Sequence, residues 1–388
     1  MIQAASTIHS LVNQLSADFI VDKKPLVTYA GFANTSPHAG QARQTLSLIL
    51  SESTIKAIRQ QVQGLYDELI RDCWPDGEVI PFDMVRFDAF LDPISDDIKI
   101  IEMNTRNVGL HEVVEWLDQT VATAIGVPTV GSLNQRFVEN QKLLHSSLFG
   151  EDVPLLYMSP DFLPRWTYYE ELLKAYTNVK HITEPQADQQ TPDGVEVDGV
   201  VYQAITKKMA WPASPHLKQL DLDNAARLLQ PRWMRQFGLK NYLQRLSSPT
   251  ILRTETFSPR HVAQYQQNKD QLVLKIIDGG NSKAVYLGGL CDDEDWQRKL
   301  TEASQRPEKW ILQDYYQPPL HSVAAHGIGP KILPIQLGIF VLPSPSDPTQ
   351  FDMDITIKGY AGKSQHFTFD PSGLNPDIWF GHVIKVTS

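Results

Sequence analysis

Apolar positions recur along this chain with two periods, and the places where the period changes delimit its elements. Over 1–24, Ile8, Leu11, Val12, Leu15 and Phe19 fall at helical spacing until Lys23-Lys24-Pro25 breaks the run. A short strand is expected at 26–30. Over 42–73 the spacing predicts helix, through Leu46, Ile49 and Leu50 and then Ile58, Val62, Leu65, Leu69 and Ile70. Residues 85–92 and 97–104 predict two adjacent strands joined by Pro93-Ile94-Ser95-Asp96, a β-hairpin. Helix is expected again over 110–127, with Pro128 to Gly131 as punctuation.

The next stretch, about 153–216, predicts a small α/β insertion. It has strands at 155–158 and 179–182, a helix at 166–176, and a hairpin at 195–202 turning on Asp198-Gly199. A third region begins near Gly238, with strands at 271–277, 310–315, 335–342 and 353–357 and helix-like stretches at 240–246, 258–268 and 292–305. No internal repeat interrupts this mixture of helix and strand, which predicts an α/β (α+β) protein.

Composition narrows the picture. At 388 residues the chain has room for two or three lobes, and 42% apolar residues suit an ordinary folded protein. A formal charge of -10 argues against a nucleic-acid partner held through phosphates. Cys73 and Cys291 have no metal-ligand spacing and are too few for a disulfide framework, so a reducing compartment is expected. The first sixteen residues lack a basic flank and an apolar core, and no run matches a membrane span; a soluble, cytoplasmic protein is the expectation.

The chemistry-bearing residues gather at strand ends. Lys275 ends the apolar run Leu272-Val273-Leu274 and leads into Asp278-Gly279-Gly280-Asn281. A lysine there faces an anion or reaches solvent, and the two glycines either let backbone N–H groups approach a phosphate or make a plain hairpin turn. Glu102 and Asn104 share one strand face, which suits Mg2+ but also a solvated strand end. Arg86 and Asp88 share a face too, as a structural ion pair or as an anion-stabilising group. Lys240, taken alone, reads as a surface lysine. Gln313-Asp314-Tyr315-Tyr316 closes a strand and offers backbone groups to an adenine edge, as many β-edges do. The eleven histidines form no HxH or HExxH pair, and no Walker A loop or Gly-x-Ser-x-Gly elbow is present.

In this order the motifs resemble those of circularly permuted ATP-grasp ligases, most of all eukaryotic-type glutathione synthetases and glutathionylspermidine synthase-like enzymes. The resemblance runs from about 42 to 360 at motif level. Arg86-Phe87-Asp88 precedes Glu102-Met103-Asn104-Thr105; then come Lys240 in Gly238-Leu239-Lys240-Asn241, Val273-Leu274-Lys275 with Asp278, and Leu337-Gly338-Ile339-Phe340. The resemblance implies a nucleotide held between two antiparallel β-layers, with a small α/β substrate lobe beside it. It implies residues 1–150 as N-terminal helices plus the metal-binding half of the core, 151–236 as the substrate lobe, and 237–388 as nucleotide lobe, lid and the rest of the core. It further implies an ADP-forming ligase that joins a carboxylate to an amine through an acyl phosphate.

On that reading Lys240, Lys275, Gly279, Gly280, Asn281 and 313–316 hold ATP, and Glu102, Asn104 and Asp278 hold Mg2+. Arg86 and Lys275 are catalytic, while Arg86, Asp88, Arg106 and Lys363 meet an amino acid or small peptide. The oligomeric state is open, a homodimer being one expectation. Three departures fall on the substrate side: Arg106-Asn107-Val108-Gly109 at the peptide-receiving turn, Gln336 where an acidic residue is usual, and a lid reduced to Gly359-Tyr360-Ala361-Gly362-Lys363. Rival readings are an ATP-binding protein without ligase activity and a small-molecule kinase.

Overall fold

A computed structural model describes residues 27–28, 42–43, 45–73, 84–105, 139, 142–143, 145–146, 150, 153–158, 179–182, 190–191, 194–207, 236–278, 284–325, 329–344, 347, 349–360 and 378–386. In chain order the strands are β1 (Val27–Thr28), β2 (Ala42–Arg43), β3 (Thr45–Ser51), β4 (Val85–Leu91), β5 (Ile98–Asn104), β6 (Leu155–Met158) and β7 (Val179–Ile182). There follow β8 (Gln190–Thr191), β9 (Gly194–Val197), β10 (Val200–Tyr202), β11 (Ala204–Lys207), β12 (Thr254–Thr256), β13 (Leu272–Ile276) and β14 (Val285–Leu287). The last five are β15 (Trp310–Asp314), β16 (Leu320–Ala325), β17 (Gly329–Pro343), β18 (Phe351–Tyr360) and β19 (Ile378–Val386). Among the described residues the α-helices with defined bounds are α1 (Glu52–Cys73), α2 (Val262–Gln267) and α3 (Asp293–Gln305).

The largest sheet has seven strands in the order β16-β3-β19-β18-β17-β4-β5. All its pairs are antiparallel except β3 with β19. β16 also pairs with β17, so the pairings β16, β3, β19, β18 and β17 close into a ring. Alternation divides the sheet into an apolar and a polar face. Leu46, Leu48 and Leu50, Val85, Phe87 and Ala89, Ile335, Leu337 and Ile339, and Ile355 and Ile357 all enter one core. α1 covers that face with Ile58, Val62, Leu65, Tyr66 and Leu69, which recur every three or four residues as a helix stripe requires. Each such side chain, fully buried, contributes about 1.5–3 kcal/mol. Ser51 caps the helix by accepting from Thr54 N at 3.1 Å.

The second sheet has four antiparallel strands, β12-β15-β13-β14. Leu272, Leu274, Trp310 and Leu312 form its apolar face and pack on Tyr265, Trp296 and Leu300 from α2 and α3. Asp292 starts α3 by accepting from Asp295 N. The strands between 155 and 207 make two further sheets, the parallel β11-β6-β7 and the antiparallel β10-β9-β8. Asp198 and Gly199 sit at φ 53° and 78°, the left-handed pair of a two-residue hairpin.

The structure corrects several expected elements. Residues 45–51 are a strand, not the start of a helix, and α1 begins only at Glu52. The stretch at 240–246 is a 3-10 helix, Lys240–Arg245. β2, β8, β11, β12, β14, β16 and β19 had no counterpart among the expected strands. The helices expected at 1–24, 110–127 and 166–176 lie outside the described residues. Among the described residues no helix is long and apolar enough to cross a membrane.

Candidate functional site

The polar face of the large sheet is built by register. Arg86 stands opposite Asn104, and Asp88 opposite Glu102, in the β4–β5 hairpin. On the next strands Gly338 lies opposite both Asp88 and Thr356, and Gln336 opposite Lys358. Arg86 lies along its own strand toward Asp88, donating from Nε to Oδ1 at 2.6 Å and from Nη2 to Oδ2 at 3.0 Å. Its guanidinium is 6.0 Å from the centre of the Phe340 ring. Gly338 makes this possible: a Cβ there would meet Arg86 Cδ at 3.4 Å and Thr356 Oγ1 at 2.5 Å.

Two lysines reach this face, Lys275 from the four-stranded sheet and Lys240 from the 3-10 helix Lys240–Arg245. Lys275 Nζ donates to the Ile101 carbonyl of β5 at 3.3 Å and to Gln313 Oε1 at 2.6 Å. Lys240 Nζ lies 3.4 Å from Glu102 Oε1, while its backbone N–H donates to Ile277 O at 3.3 Å. The 3-10 helix that carries Lys240 is pinned from below. Tyr242 and Leu243 enter the main core, Tyr242 OH donates to Asp72 Oδ2 at 2.8 Å, and Ser247 N donates to Glu68 Oε2 at 2.7 Å. Lys240 is therefore 5% exposed and Lys275 7%, which corrects the surface reading of Lys240.

Burial of these charges shapes their proton affinities. It presses the Lys275 ammonium down to about 8, with the Lys240 charge adding to the effect and Glu102 and Asp88 opposing it. Burial likewise lowers Lys358, against the pull of Asp88. Burial works to raise the Asp88 carboxyl, but Arg86, Lys358 and Lys275 prevail and hold it below its ordinary value. Tyr360, buried beside this carboxylate, keeps its proton far above the usual range and donates to Gln336 Oε1 at 3.1 Å. Arg86, Lys240, Lys275 and Lys358 gather around Asp88 and Glu102, a cation-rich grouping that suits an anion.

The structure thus brings together Arg86, Asp88, Glu102, Asn104, Lys240, Lys275 and Gln313. Asp278, exposed, directly follows the residue bonded to Lys240. Asp314 belongs elsewhere: its carboxylate pairs with Arg253 at 3.3 Å. The amides of Asp314 and Tyr315 already donate to Arg253 O and Gln271 O, so the expected use of those N–H groups at an adenine edge is corrected. Tyr316 stacks on Phe90 with centroids 5.9 Å apart. Gly279, Gly280, Asn281, Arg106 and Lys363 lie outside the described residues.

Lys358 is the site residue that the sequence reading missed. Its signal was the alternation Asp354-Ile355-Thr356-Ile357-Lys358, which sets the lysine on the face opposite two buried isoleucines. Among the described residues it makes no hydrogen bond and no ion pair within 4 Å.

A cation fits this face in donor chemistry. Glu102 and Asn104 share one face of β5, so a carboxylate and an amide oxygen can be offered together, while Asn104 Nδ2 is buried without a hydrogen-bond partner and is a donor for an anion, not a metal ligand. Among the described residues no three His, Cys, Asp or Glu side chains converge; a carboxylate with an amide oxygen suits Mg2+, a metal that takes one or two carboxylates and completes its shell with phosphate and water. An open groove of about 720 Å³ on the outer side of α3, lined by Gln266, Asp293, Gln297, Arg298 and Glu302, contains none of these groups.

No family model matches the chain, and no curated protein does. Its fold is similar to that of a glutathione synthetase-like effector from Globodera pallida in its apoform, with a TM-score of 0.56 over 98% of both chains at 10% identity. A putative γ-glutamylcysteine synthetase from Methylobacillus flagellatus KT aligns over 86% of this chain and 87% of that one, at 10% identity and a TM-score of 0.45. The ATP-grasp ligase PsnB, complexed with a minimal precursor, aligns over 53% of this chain and 76% of its own at 12% identity and a TM-score of 0.30. At such identities the likeness speaks for architecture alone, and that architecture is similar to the one of the glutathione synthetase-like effector.

Proposed function

We propose that this protein is an ADP-forming carboxylate–amine ligase that uses Mg-ATP. The observation that carries the reading is the meeting of Lys275, from the four-stranded sheet, and Lys240, from the 3-10 helix, with Glu102 and the Ile101 carbonyl of the large sheet, both lysines being buried. Polyphosphate is the ligand such a cluster suits, and a carboxylate with an amide oxygen beside it suits the accompanying metal. The order of the Glu102 strand before the Lys275 strand supports the circularly permuted arrangement. The separate small sheets between 155 and 207 support a substrate lobe in that region.

In this reading a substrate carboxylate oxygen bonds to the γ-phosphorus as the bond to the β-phosphate oxygen breaks, giving an acyl phosphate and ADP. The amine then attacks the acyl carbon, phosphate departs, and the amine proton passes to solvent. Lys240 and Lys275 hold phosphate oxygens, and Arg86, locked by Asp88 and packed over Phe340, offers its guanidinium to the transferring group. Glu102, Asn104 and Asp278 would hold Mg2+, which neutralises phosphate charge when bound. Lys358, at the far end of the same face, meets the substrate's anionic group, a task the sequence reading gave to Arg106 and Lys363. The substrates are a small carboxylate and an amine, an amino acid or short peptide.

ADP release measured against a panel of amino acids and amines tests the reading, with mass analysis of products. An amide product that requires both substrates supports it. A phosphorylated product formed without amine would make the protein a kinase, and Mg-ATP binding without turnover would make it a regulatory binder. Lys275→Ala should lower turnover by about a hundredfold or more; near-normal turnover would remove Lys275 from the site.

A further inference from the structure

Lys275 is held by a relay of hydrogen bonds whose direction is set by its far end. Thr254 Oγ1 donates to the Leu252 carbonyl at 2.9 Å, which leaves that oxygen to accept. Gln313 Nε2 donates to it at 2.9 Å, and with the amide nitrogen so committed Gln313 turns Oε1 to Lys275, accepting from Nζ at 2.6 Å. A flipped amide would set an NH2 group against an ammonium, so the network selects one orientation. The relay crosses three neighbouring strands: Thr254 of β12 is opposite Gln313 of β15, and Gln313 is opposite Val273, two residues before Lys275 on β13. Ile101 O takes a second hydrogen of Nζ at 3.3 Å. An ammonium has three hydrogens, so two fixed acceptors leave a single tetrahedral direction for a ligand.

The choice of acceptor matters as much as its position. An amide oxygen stabilises the ammonium without cancelling its charge. A carboxylate in the same place would form an ion pair that an incoming phosphate must disrupt. An apolar side chain would leave a buried ammonium with one long hydrogen bond. Gln313 is itself 2% exposed, with carbonyl oxygen and amide nitrogen both engaged, so it acts on a ligand through Lys275.

We propose that Gln313 is the positioning residue of Lys275, keeping the ammonium fully available and aiming its third hydrogen at a nucleotide phosphate. The aim at phosphate rests on the function proposed above; the hold on Lys275 stands apart from it.

Gln313→Met and Gln313→Glu, each alone and combined with Lys275→Met, test the proposal by thermal unfolding without ligand and by calorimetric titration with Mg-ADP. Gln313→Met should lower Tm, and adding Lys275→Met should recover it, because removing both partners of a buried bond costs less than removing one. Gln313→Glu should raise Tm above wild type yet weaken Mg-ADP by about tenfold or more, the worth of one charge partner at a buried site. A residue that only fills space would move stability and affinity in the same direction. An equal Tm loss from Gln313→Met with and without Lys275 would overturn the proposal, as would undiminished Mg-ADP affinity in Gln313→Glu. Coupling in the unfolding cycle with no Mg-ADP binding by the wild-type protein would overturn the aim at phosphate and leave the hold on Lys275 in place.

Discussion

Replacing Lys275 with methionine should make the ligand-free protein more stable at neutral pH while removing its capacity for nucleotide. Burial presses the ammonium from 10.5 to about 8. At about 1.4 kcal/mol for each tenfold change in proton affinity, the charge costs the fold roughly 3 kcal/mol. Methionine keeps the length and removes that cost, but strands the Gln313 oxygen, a loss of about 1–3 kcal/mol. A net gain on the order of 1 kcal/mol at pH 7 follows.

The sign then changes with pH. Below 8 both folded and unfolded wild-type chains carry the proton, and the full penalty applies. Between 8 and 10.5 the unfolded chain binds more protons than the folded one, so wild-type stability climbs with pH at this residue. The variant has no such climb and should fall behind wild type by about pH 9.5. Urea unfolding of both proteins at pH 7 and pH 9.5, with Mg-ADP titrations alongside, measures the crossing. A stability difference that is the same at both pH values would refute the reasoning, since the penalty would then not arise from a titrating charge.

Three further outcomes are expected. Lys240→Met should weaken Mg-ADP by about tenfold to a hundredfold in a direct titration, because the lysine is a buried charge partner at the same cluster. Gly338→Ala brings a methyl group to 2.5 Å from Thr356 Oγ1 and 3.4 Å from Arg86 Cδ; it should cost about 1–3 kcal/mol in denaturant titrations and lower turnover more than Mg-ADP affinity, with Thr356→Ala in the same chain recovering part of both. Lys358→Met should raise KM for the carboxylate substrate about tenfold or more and leave Mg-ADP affinity within a factor of about two, as steady-state kinetics and calorimetry can separate.

Local signals carried much of this architecture, and their failures have local causes. The β4–β5 hairpin was legible because alternation and a turn rich in Pro, Ser and Asp agree; Asp96 does take a left-handed φ of 60° there. Residues 45–51 misled because Leu46, Ile49 and Leu50 fit a helix as well as Leu46, Leu48 and Leu50 fit a strand. The strand lies between β19 and β16 with Ser47 and Ile49 also buried, so the polar half of its alternation is blurred. In the site, Glu102 with Asn104 and Arg86 with Asp88 could be placed on shared faces from spacing alone. Lys240 could not, because its partners Ile277 and Glu102 are distant in sequence and its short helix is fixed through Tyr242 to the far end of α1. Gln313 was read for its backbone, since its side-chain partners Lys275 and Thr254 lie 38 and 59 positions away.

The parallel pairing of β3 with β19 has a consequence for how the protein is made. Thr45 leaves the ribosome early, yet its partner Phe380 arrives only after almost all of the intervening chain. At about 5–20 residues per second, that is a delay of roughly a quarter of a minute to a minute. β16, the other neighbour of β3, comes late as well. Through this interval Thr45-Leu46-Ser47-Leu48-Ile49-Leu50-Ser51, an uncharged segment without proline, waits with no sheet edge to join. Its nascent chain is a natural client for a chaperone, and shortening the C-terminus before Ile378 would leave the β19 side of that segment an open edge, with only β16 beside it, and favour aggregation.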